Sequence, residues 1–187
     1  MNLHLKFSGG LMLAVLVLCA GCDSEITGWE GIYELQSWTD NQSGCDSEGM
    51  SILEMQSDDH FYVKAENLLG QEFLNVAFCE GLDACTALAA GDTINLEYGL
   101  DQGGDQTGWI GSGYTLGGST TCSGEVRHTR LVETAPSELH FEIRRTFVDN
   151  VPLDTEGFCD SDAALEMADA QGCEGIEQVT AMQVSDL

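Results

Sequence analysis

The amino-acid sequence predicts a mainly β domain, in which an antiparallel meander of about eight strands closes into a small barrel or packs as a sandwich. Short segments that alternate apolar and polar residues recur from position 31 onward, and turn-forming residues separate them. Only one stretch, near the C-terminus, has the composition of a convincing long helix. Six cysteines lie after position 40, and this even number is typical of a disulfide framework.

The predicted strands follow one another along the chain with short connections. Eight segments have the strand pattern: residues 31–39, 60–66, 71–79, 93–100, 109–116, 122–133, 138–148 and 175–184. Residues 67–70 and 134–137 each separate two of these segments by only a few residues, which predicts two hairpins. The second hairpin, covering residues 122–148, is the clearer one.

One helix is predicted between the last two strands. Ser161 is a candidate N-cap, Asp162 lies in the first turn, and residues 163–171 have high helix propensity. Gly172 can end the helix because glycine readily adopts the conformation found there. A second, shorter helix is predicted within residues 83–90.

The cysteine spacing favours three disulfides over a metal site. No pair among the six cysteines after position 40 has the close spacing of typical zinc ligands, so we expect no metal. Cys79 and Cys85 flank a five-residue loop short enough for its ends to meet. Cys159 and Cys173 are a poorer pair, because a straight helix between them would hold them beyond the roughly 7 Å that a disulfide spans. The remaining pairing stays open among these disulfide candidates: Cys45, Cys79, Cys85, Cys122, Cys159 and Cys173.

The N-terminus carries the only long apolar run, the ten residues 11–20. A membrane-spanning helix needs roughly 17–25 apolar residues, whereas a secretory signal needs only about 7–15. The run ends in LVLCAGCD, in which Ala20 and Gly21 precede Cys22. This ending resembles the lipobox of bacterial lipoproteins, although Cys19 stands where that family usually has leucine. An ordinary secretory signal is the alternative.

The lipobox resemblance implies three parts in the chain. Residues 1–21 would be a cleaved signal peptide, residues 22–28 an acylated cysteine and short tether, and residues 29–187 a disulfide-stabilised β domain. Cys22 would be the lipidation site. The domain would then lie in the cell envelope, outside the cytoplasm, and its membrane attachment would be the N-terminal lipid.

The first predicted strand opens with Trp29, Glu30, Gly31, Ile32 and Tyr33. Together with the strand number and the late helix, this opening resembles the lipocalin-like barrels, which begin with a Gly-x-Trp element. The order of tryptophan and glycine differs here. The resemblance implies a barrel that binds a small molecule.

The charge balance excludes one class of partner. The chain has 32 acidic residues and 6 Lys and Arg residues, a formal net charge of −26. Such a surface repels phosphate, so we expect no nucleic-acid partner. Acidity favours solubility, and calcium binding through residues 58–60 or 101–105 is an alternative, although neither stretch follows EF-hand spacing. We expect no cofactor.

The predicted hairpin of residues 122–148 carries the candidate ligand-binding residues His128, Arg130 and Arg145. Alternation along each strand predicts that they are the polar members of one inward face. The other members of that face are apolar: Val126, Val132, Leu139, Phe141, Ile143 and Phe147. The opposite face is predicted to be solvated: Arg127, Thr129, Glu133, Glu138, His140, Glu142 and Arg144. An inward arginine needs a partner, either an internal Asp or Glu or the carboxylate of a ligand.

No enzyme motif is found, so we expect no catalytic residues and no enzyme activity. A nucleophile elbow, an H-E-x-x-H helix and a P-loop are all missing from the sequence. We therefore expect a lipid-anchored β domain that binds a small apolar or anionic molecule. The alternative is an envelope structural or protein-interaction lipoprotein, without a ligand cavity, in which Trp29, Trp38 or Trp109 contacts a partner. A hydrolase would need a cleft with carboxylates of raised pKa.

Overall fold

A computed structural model describes residues 27–46, 50–53, 59–91, 97–104 and 108–187. Nine strands form a nearly closed antiparallel barrel, and a short tenth strand pairs at its edge. The strands are β1 (Gly31–Asn41), β2 (Ser51–Ile52), β3 (His60–Leu68), β4 (Gln71–Cys79), β5 (Tyr98–Leu100), β6 (Gln102–Gly104), β7 (Gly108–Gly118), β8 (Cys122–Ala135), β9 (Glu138–Val151) and β10 (Gly175–Ser185). Two helices, α1 (Gly81–Ala89) and α2 (Ser161–Gln171), pack on the outside, and a 3₁₀ turn (Thr27–Trp29) precedes β1.

The sheet closes through a single chain segment. Its strand order is β5-β4-β3-β1-β10-β9-β8-β7-β6, with β2 paired to β1. β5 and β6 lie at opposite ends of this order, yet only Asp101 separates them in the chain. The backbone N–H of Asp101 donates to the carbonyl of Ile110 on β7, at 3.1 Å. The segment therefore pairs with β4 on one side and with β7 on the other, which joins the two edges of the sheet.

The predicted fold class is confirmed, and the structure is a barrel rather than a sandwich. The two predicted hairpins, the last strand and both helices are present. Of the predicted strand at residues 93–100, Tyr98–Leu100 forms a strand, and residues 93–96 lie outside the described residues. The second hairpin is tighter than predicted, with only Pro136 and Ser137 between its strands.

The N-cap of α2 differs from the predicted one. It is Asp160, whose carboxylate accepts from the backbone N–H of Ala163 at 3.0 Å. Ser161, which was predicted to be the N-cap, is the first helical residue. Aspartate caps a helix as well as serine does, and the two stand side by side here. Gly172 ends α2 with a φ of 86°, as predicted.

Apolar side chains are buried on both sides of the sheet. The interior core includes Phe61, Leu74 and Phe141. On the outer wall, α1 covers a cluster that contains Tyr62 and Ala77. A third cluster lies under α2: Cys122, Val126, Val148, Val151, Ala164 and Ala168. Burial of a strand residue therefore does not by itself place that residue inside the barrel.

Three disulfides are present, and all six candidate cysteines take part. Cys79 pairs with Cys85 as predicted and ties α1 to β4. Cys122 pairs with Cys159, which fastens the chain just before α2 to β8. Cys45 pairs with Cys173 across 128 residues of sequence.

The predicted signal peptide and the lipidation site Cys22 lie outside the described residues. Within the described residues, no helix has both the length and the apolar character needed to cross a membrane.

Candidate functional site

The predicted ligand-binding residues of β8 lie on the outer wall of the barrel. Leu131 belongs to the interior core, and Thr129 shares its face because alternate strand residues point to opposite sides. His128 and Arg130 therefore face outward, so their predicted inward orientation is wrong. The prediction took Val126 as a sign of the interior, but Val126 is buried beneath α2 on the outer wall.

Arg145 faces the interior, as predicted. It shares a strand face with Phe141 and Ile143, which are both buried. Its guanidinium forms a hydrogen-bonded ion pair with the carboxylate of Glu177, and its Nε lies 3.9 Å from Glu125. Glu177 is only 8% exposed, and Arg145 supplies the opposite charge without which its carboxylate would be costly to bury. Pairing with an internal acid is one of the two interpretations that the sequence left open.

Phe147 on β9 was also predicted to face inward, but its side chain is 51% exposed and contributes nothing to the interior core.

The barrel interior is packed with aromatic and aliphatic side chains. Tyr33 stacks on Phe61 with ring centroids 5.3 Å apart, and Tyr98 meets Phe141 edge-on at 5.2 Å. A ligand inside the barrel would have to displace these side chains, so the interior is a poor binding site.

A large depression lies instead on the outer wall, and we call it the outer groove. Its volume is about 720 Å³. Its apolar lining comes from Phe73 on β4, Ile110 on β7 and Leu165 on α2. Its charged lining consists of His128, Arg130, Glu142, Arg144 and Asp101. Two of the three predicted ligand-binding residues, His128 and Arg130, therefore line one groove, and Arg145 does not.

The groove follows the seam at which the barrel closes. A Cβ at Gly111 would lie 2.0 Å from the carbonyl oxygen of Gly99, so the two strands approach closely only because residue 111 is glycine. A Cβ at Gly99 would lie 3.7 Å from the ring of Phe73. Gly99 thus adds no side chain to the outer face of the seam, where Phe73 on β4 and Leu165 on α2 also line the groove.

The charged residues of the groove are arranged in pairs. Arg144 donates from Nε to Glu142 at 2.7 Å, and Glu142 also accepts from the side-chain amide of Gln178 at 3.2 Å. Burial raises the pKa of Glu142, but these two hydrogen bonds and the charge of Arg144 outweigh it, so the pKa is lowered overall. The Arg144 side chain is 51% exposed and that of Glu142 is 17% exposed, so the pair presents its positive member to solvent.

The neighbouring pairs continue this pattern along the groove. Arg130 lies opposite Glu142 in the β8–β9 register. His128 Nδ1 lies 2.9 Å from the hydroxyl of Ser112, and its Nε2 lies 3.5 Å from the carboxylate of Asp169 on α2. The groove is therefore lined by paired charged side chains as well as by apolar ones.

The three tryptophans do not form the exposed patch that the alternative hypothesis invoked. Trp29 and Trp109 are buried in the interior core, and Trp38 stacks on Phe78. Exposed aromatic side chains among the described residues are instead Tyr114, Phe147 and Phe158.

The acidic side chains form no metal-binding group in the part of the chain that the structure describes. There, no cluster of three or more His, Cys, Asp or Glu side chains is placed to hold an ion. Asp58 and Asp105, which belong to the two acidic stretches considered for calcium, lie outside the described residues.

Searches of protein-family models, of curated proteins and of solved structures find no significant match to the chain.

Sequence reasoning missed Phe73, Ile110 and Leu165 as lining residues. They come from three elements far apart in the chain, and no local pattern indicates that barrel closure brings them together. Strand alternation correctly predicts Arg144 on the outer face with Glu142, but by itself it indicates only a solvated charge. One signal was available: Arg130 and Arg144 are two of the only five Lys and Arg residues after position 26.

Proposed function

We propose that this protein is a lipid-anchored lipoprotein of the bacterial cell envelope that binds a small amphipathic anion in the outer groove. Cys22 would carry the lipid. The three disulfides support an oxidising, extracytoplasmic compartment, because disulfides persist there and are rare in the cytosol.

The observation that carries the binding proposal is that Arg130 and Arg144 line the same groove as the apolar side chains of Phe73, Ile110 and Leu165. In so acidic a chain, two of the few basic residues line a depression of about 720 Å³ together with these apolar groups. Sites for small molecules typically measure about 300–1,000 Å³ and combine apolar walls with a few polar groups. An apolar body would occupy the base, and a carboxylate would be bound by a planar guanidinium.

The binding proposal is tested with 8-anilinonaphthalene-1-sulfonate, which combines an apolar ring system with one negative charge. Ile110 and Tyr114 offer a matched pair, because both point outward from β7 and are 44% and 50% exposed, but only Ile110 lines the groove. Ile110→Asp should weaken binding of this probe about tenfold, equivalent to about 1.4 kcal/mol. Tyr114→Asp should leave the affinity within about twofold. Equal effects of the two variants, or no saturable binding to the unaltered protein, would reject the groove.

The anchoring proposal is tested by intact mass of the protein expressed with its own signal. The expected chain begins at Cys22, carries added acyl mass, and gains two hydrogens for each of the three disulfides on reduction. An unacylated chain that begins elsewhere would identify a secreted or periplasmic protein instead.

A second candidate function is a protein-interaction role in the envelope. The packed barrel interior favours it, and so do the exposed side chains of Tyr114 and Phe158. The probe experiment separates the two functions, because an interaction protein has no reason to bind a small anion at Ile110.

A further inference from the structure

The turn between β3 and β4 has a residue that does not suit its conformation. Leu68 pairs with Gln71, so the loop consists of Leu69 and Gly70. Their φ angles are 56° and 91°, and positive φ at both positions is typical of a type I′ turn. Such turns strongly favour Asn-Gly, whereas a bulky side chain at positive φ is sterically disfavoured. Leucine at position 69 therefore destabilises the turn conformation.

Leu69 gains no compensation from packing within the chain. Its side chain is completely exposed, at 101% of the reference accessible area. The turn is held by another contact, in which the backbone N–H of Gly70 donates to the side-chain oxygen of Asn67 at 3.0 Å. A single exposed leucine is ordinary on a protein surface. An exposed leucine in a conformation that leucine disfavours requires a reason outside the folded domain.

The turn lies at the end of the barrel where the chain enters. Gly31, the first residue of β1, pairs with Val63, and β3 continues beyond it toward Leu69. The backbone N–H of Ala65 donates to the carboxylate of Glu30, which confirms that this part of β3 runs alongside the N-terminal segment. Six residues from Val63 to Leu69 extend about 20 Å along the strand direction, and strand tilt shortens this to about 15 Å along the barrel axis.

The segment from Cys22 to Thr27, the tether, can extend about as far as the β3–β4 hairpin projects beyond the start of β1. Five residue steps separate Cys22 from Thr27, which span at most about 18 Å when fully extended. A lipid on Cys22 would therefore hold this end of the barrel within about 18 Å of the bilayer surface. The hairpin tip can then reach the surface, and the opposite end of the barrel lies farther from Cys22 by the length of β1.

The tip is also free of charge, in contrast to most of the chain. Residues 67–71 contain no charged side chain, although the protein has 32 acidic residues. The nearest acid on the N-terminal side, Glu66, is paired with Lys64 at 3.1 Å. Leu69 and Gly70 can therefore enter the membrane interface without desolvation of a carboxylate. The exposed Glu72 and Asp101 must remain in water; the Asp101 carboxylate accepts from the side-chain amide of Gln71 at 3.2 Å.

We infer that Leu69 inserts into the interface of the bilayer to which Cys22 is anchored, so that the β3–β4 hairpin is the part of the barrel that contacts the membrane. The occupant of this surface is a lipid bilayer and not a second protein. The inference rests on the acylation of Cys22 in the proposed function, but not on ligand binding in the outer groove.

The test uses the full chain, expressed with its own signal and reconstituted in phosphatidylcholine vesicles. Leu69→Cys and Ile52→Cys form a matched pair, because Ile52 is also an exposed aliphatic residue, at 85%, and pairs with Thr39 near the far end of β1. The domain's six cysteines are paired in disulfides, so an environment-sensitive thiol dye would label the introduced residue. A nitroxide-labelled phosphatidylcholine serves as the quencher.

The dye at position 69 should show blue-shifted emission and lose intensity when the nitroxide lipid is present. The dye at position 52 should keep the emission that it has in water. With acylation confirmed by intact mass, equal quenching at both positions or no quenching at position 69 would overturn the inference while the anchor stands. A mass that shows no acylation would overturn both.

A second variant tests whether Leu69 instead stabilises the folded domain. Leu69→Asn supplies the residue that a type I′ turn favours. Its Tm should equal or exceed that of the unaltered protein. A lower Tm would show that leucine stabilises the domain itself, and this would remove the reason for assigning Leu69 to the membrane.

Discussion

Arg127 and Arg145 lie directly opposite each other on β8 and β9, on the face of the hairpin that carries the interior core. Like charges in this cross-strand position destabilise a sheet unless each has its own partner. Arg127 lies over the ring of Tyr98, with 5.3 Å from Cζ to the ring centroid, and Arg145 is paired with Glu177. The stability of this end of the barrel therefore depends on the acids and the aromatic ring around the two arginines.

Replacement of Arg145 should destabilise the domain, because it leaves the carboxylate of Glu177 buried without its partner. Arg145→Ala is expected to lower the free energy of unfolding by about 1–3 kcal/mol, less than for a fully buried pair since Arg145 is 30% exposed. Arg144→Ala is the control, because Arg144 is the next residue on the strand and is half-exposed; it should cost less than about 1 kcal/mol. Urea denaturation measures both values. Similar losses for the two variants would contradict a structural role specific to Arg145.

Closure of the barrel should be sensitive to a single methyl group at Gly111. A Cβ there would lie 2.0 Å from the backbone oxygen of Gly99, and backbone cannot rotate away as a side chain can. Gly113, two residues along the same strand, has no atom within 4 Å of the corresponding position. Gly111→Ala is expected to lower stability by about 1–3 kcal/mol through this overlap, whereas Gly113→Ala should change it by less than about 1 kcal/mol. Thermal unfolding followed by circular dichroism would compare the two variants. Equal Tm values would show that β5 and β7 can move apart at Gly111 without a loss of stability.

The three disulfides should differ in their contribution to stability according to the length of chain that they close. The sequence separations are 128, 37 and 6 residues for Cys45–Cys173, Cys122–Cys159 and Cys79–Cys85. Loop-closure entropy predicts losses of about 5, 4 and 2 kcal/mol when each pair is replaced by serines. The ranking, measured by denaturant unfolding of the three double variants, is the expected outcome. The reverse order would show that local packing under α1 matters more than chain entropy.

Stability should fall in alkaline solution because of Tyr33. Burial, with smaller contributions from Glu133 and Asp186, raises the pKa of Tyr33 to about 12, and its hydroxyl donates to the carbonyl of Trp29 at 3.0 Å. Above about pH 10 the unfolded chain loses this proton while the folded chain keeps it, so stability decreases as pH rises to about 12. The loss attributable to Tyr33 is about 2–3 kcal/mol over that range.

Tyr33→Phe provides the control for this pH dependence. It removes the hydrogen bond to Trp29, at a cost of about 1 kcal/mol near neutral pH, but it also removes the titrating group. Urea unfolding at several pH values between 9 and about 12 should therefore give a shallower decline for the variant than for the unaltered protein. Parallel curves would assign the decline to other groups, such as Tyr62 and Tyr98, whose pKa values are also raised by burial.

The sequence was sufficient for the long strands, the helices and one disulfide, because each of these depends on local patterns, whereas the short strands β2 and β6 were not predicted. Alternation, hairpin turns and the composition around residues 161–172 act over a few residues at a time. The pairing of Cys79 with Cys85 is local in the same sense. Pairing of Cys45 with Cys173 depends on how distant segments meet, which no local pattern encodes.

The same distinction explains the error at His128 and Arg130. Alternation along β8 was read correctly, but the choice of the inner face relied on valine as a sign of the core. The buried cluster under α2 gives β8 apolar side chains on both faces, so Val126 and Leu131 are both fully buried on opposite sides. Only the packing of α2 on the barrel decides which of them faces inward.

If Cys22 is acylated as proposed, closure through the segment around Asp101 affects how neighbouring copies on one membrane can pair. Lipid anchoring confines proteins to two dimensions and raises their local concentration, which favours pairing between unprotected sheet edges of neighbouring molecules. Here the strands that end the sheet order, β5 and β6, have three residues each and belong to one continuous segment, and β2 has only two. Residues 74–76 of β4 and 108–110 of β7 therefore already have partner strands, so a neighbouring lipid-anchored copy cannot extend the sheet at these positions of the seam.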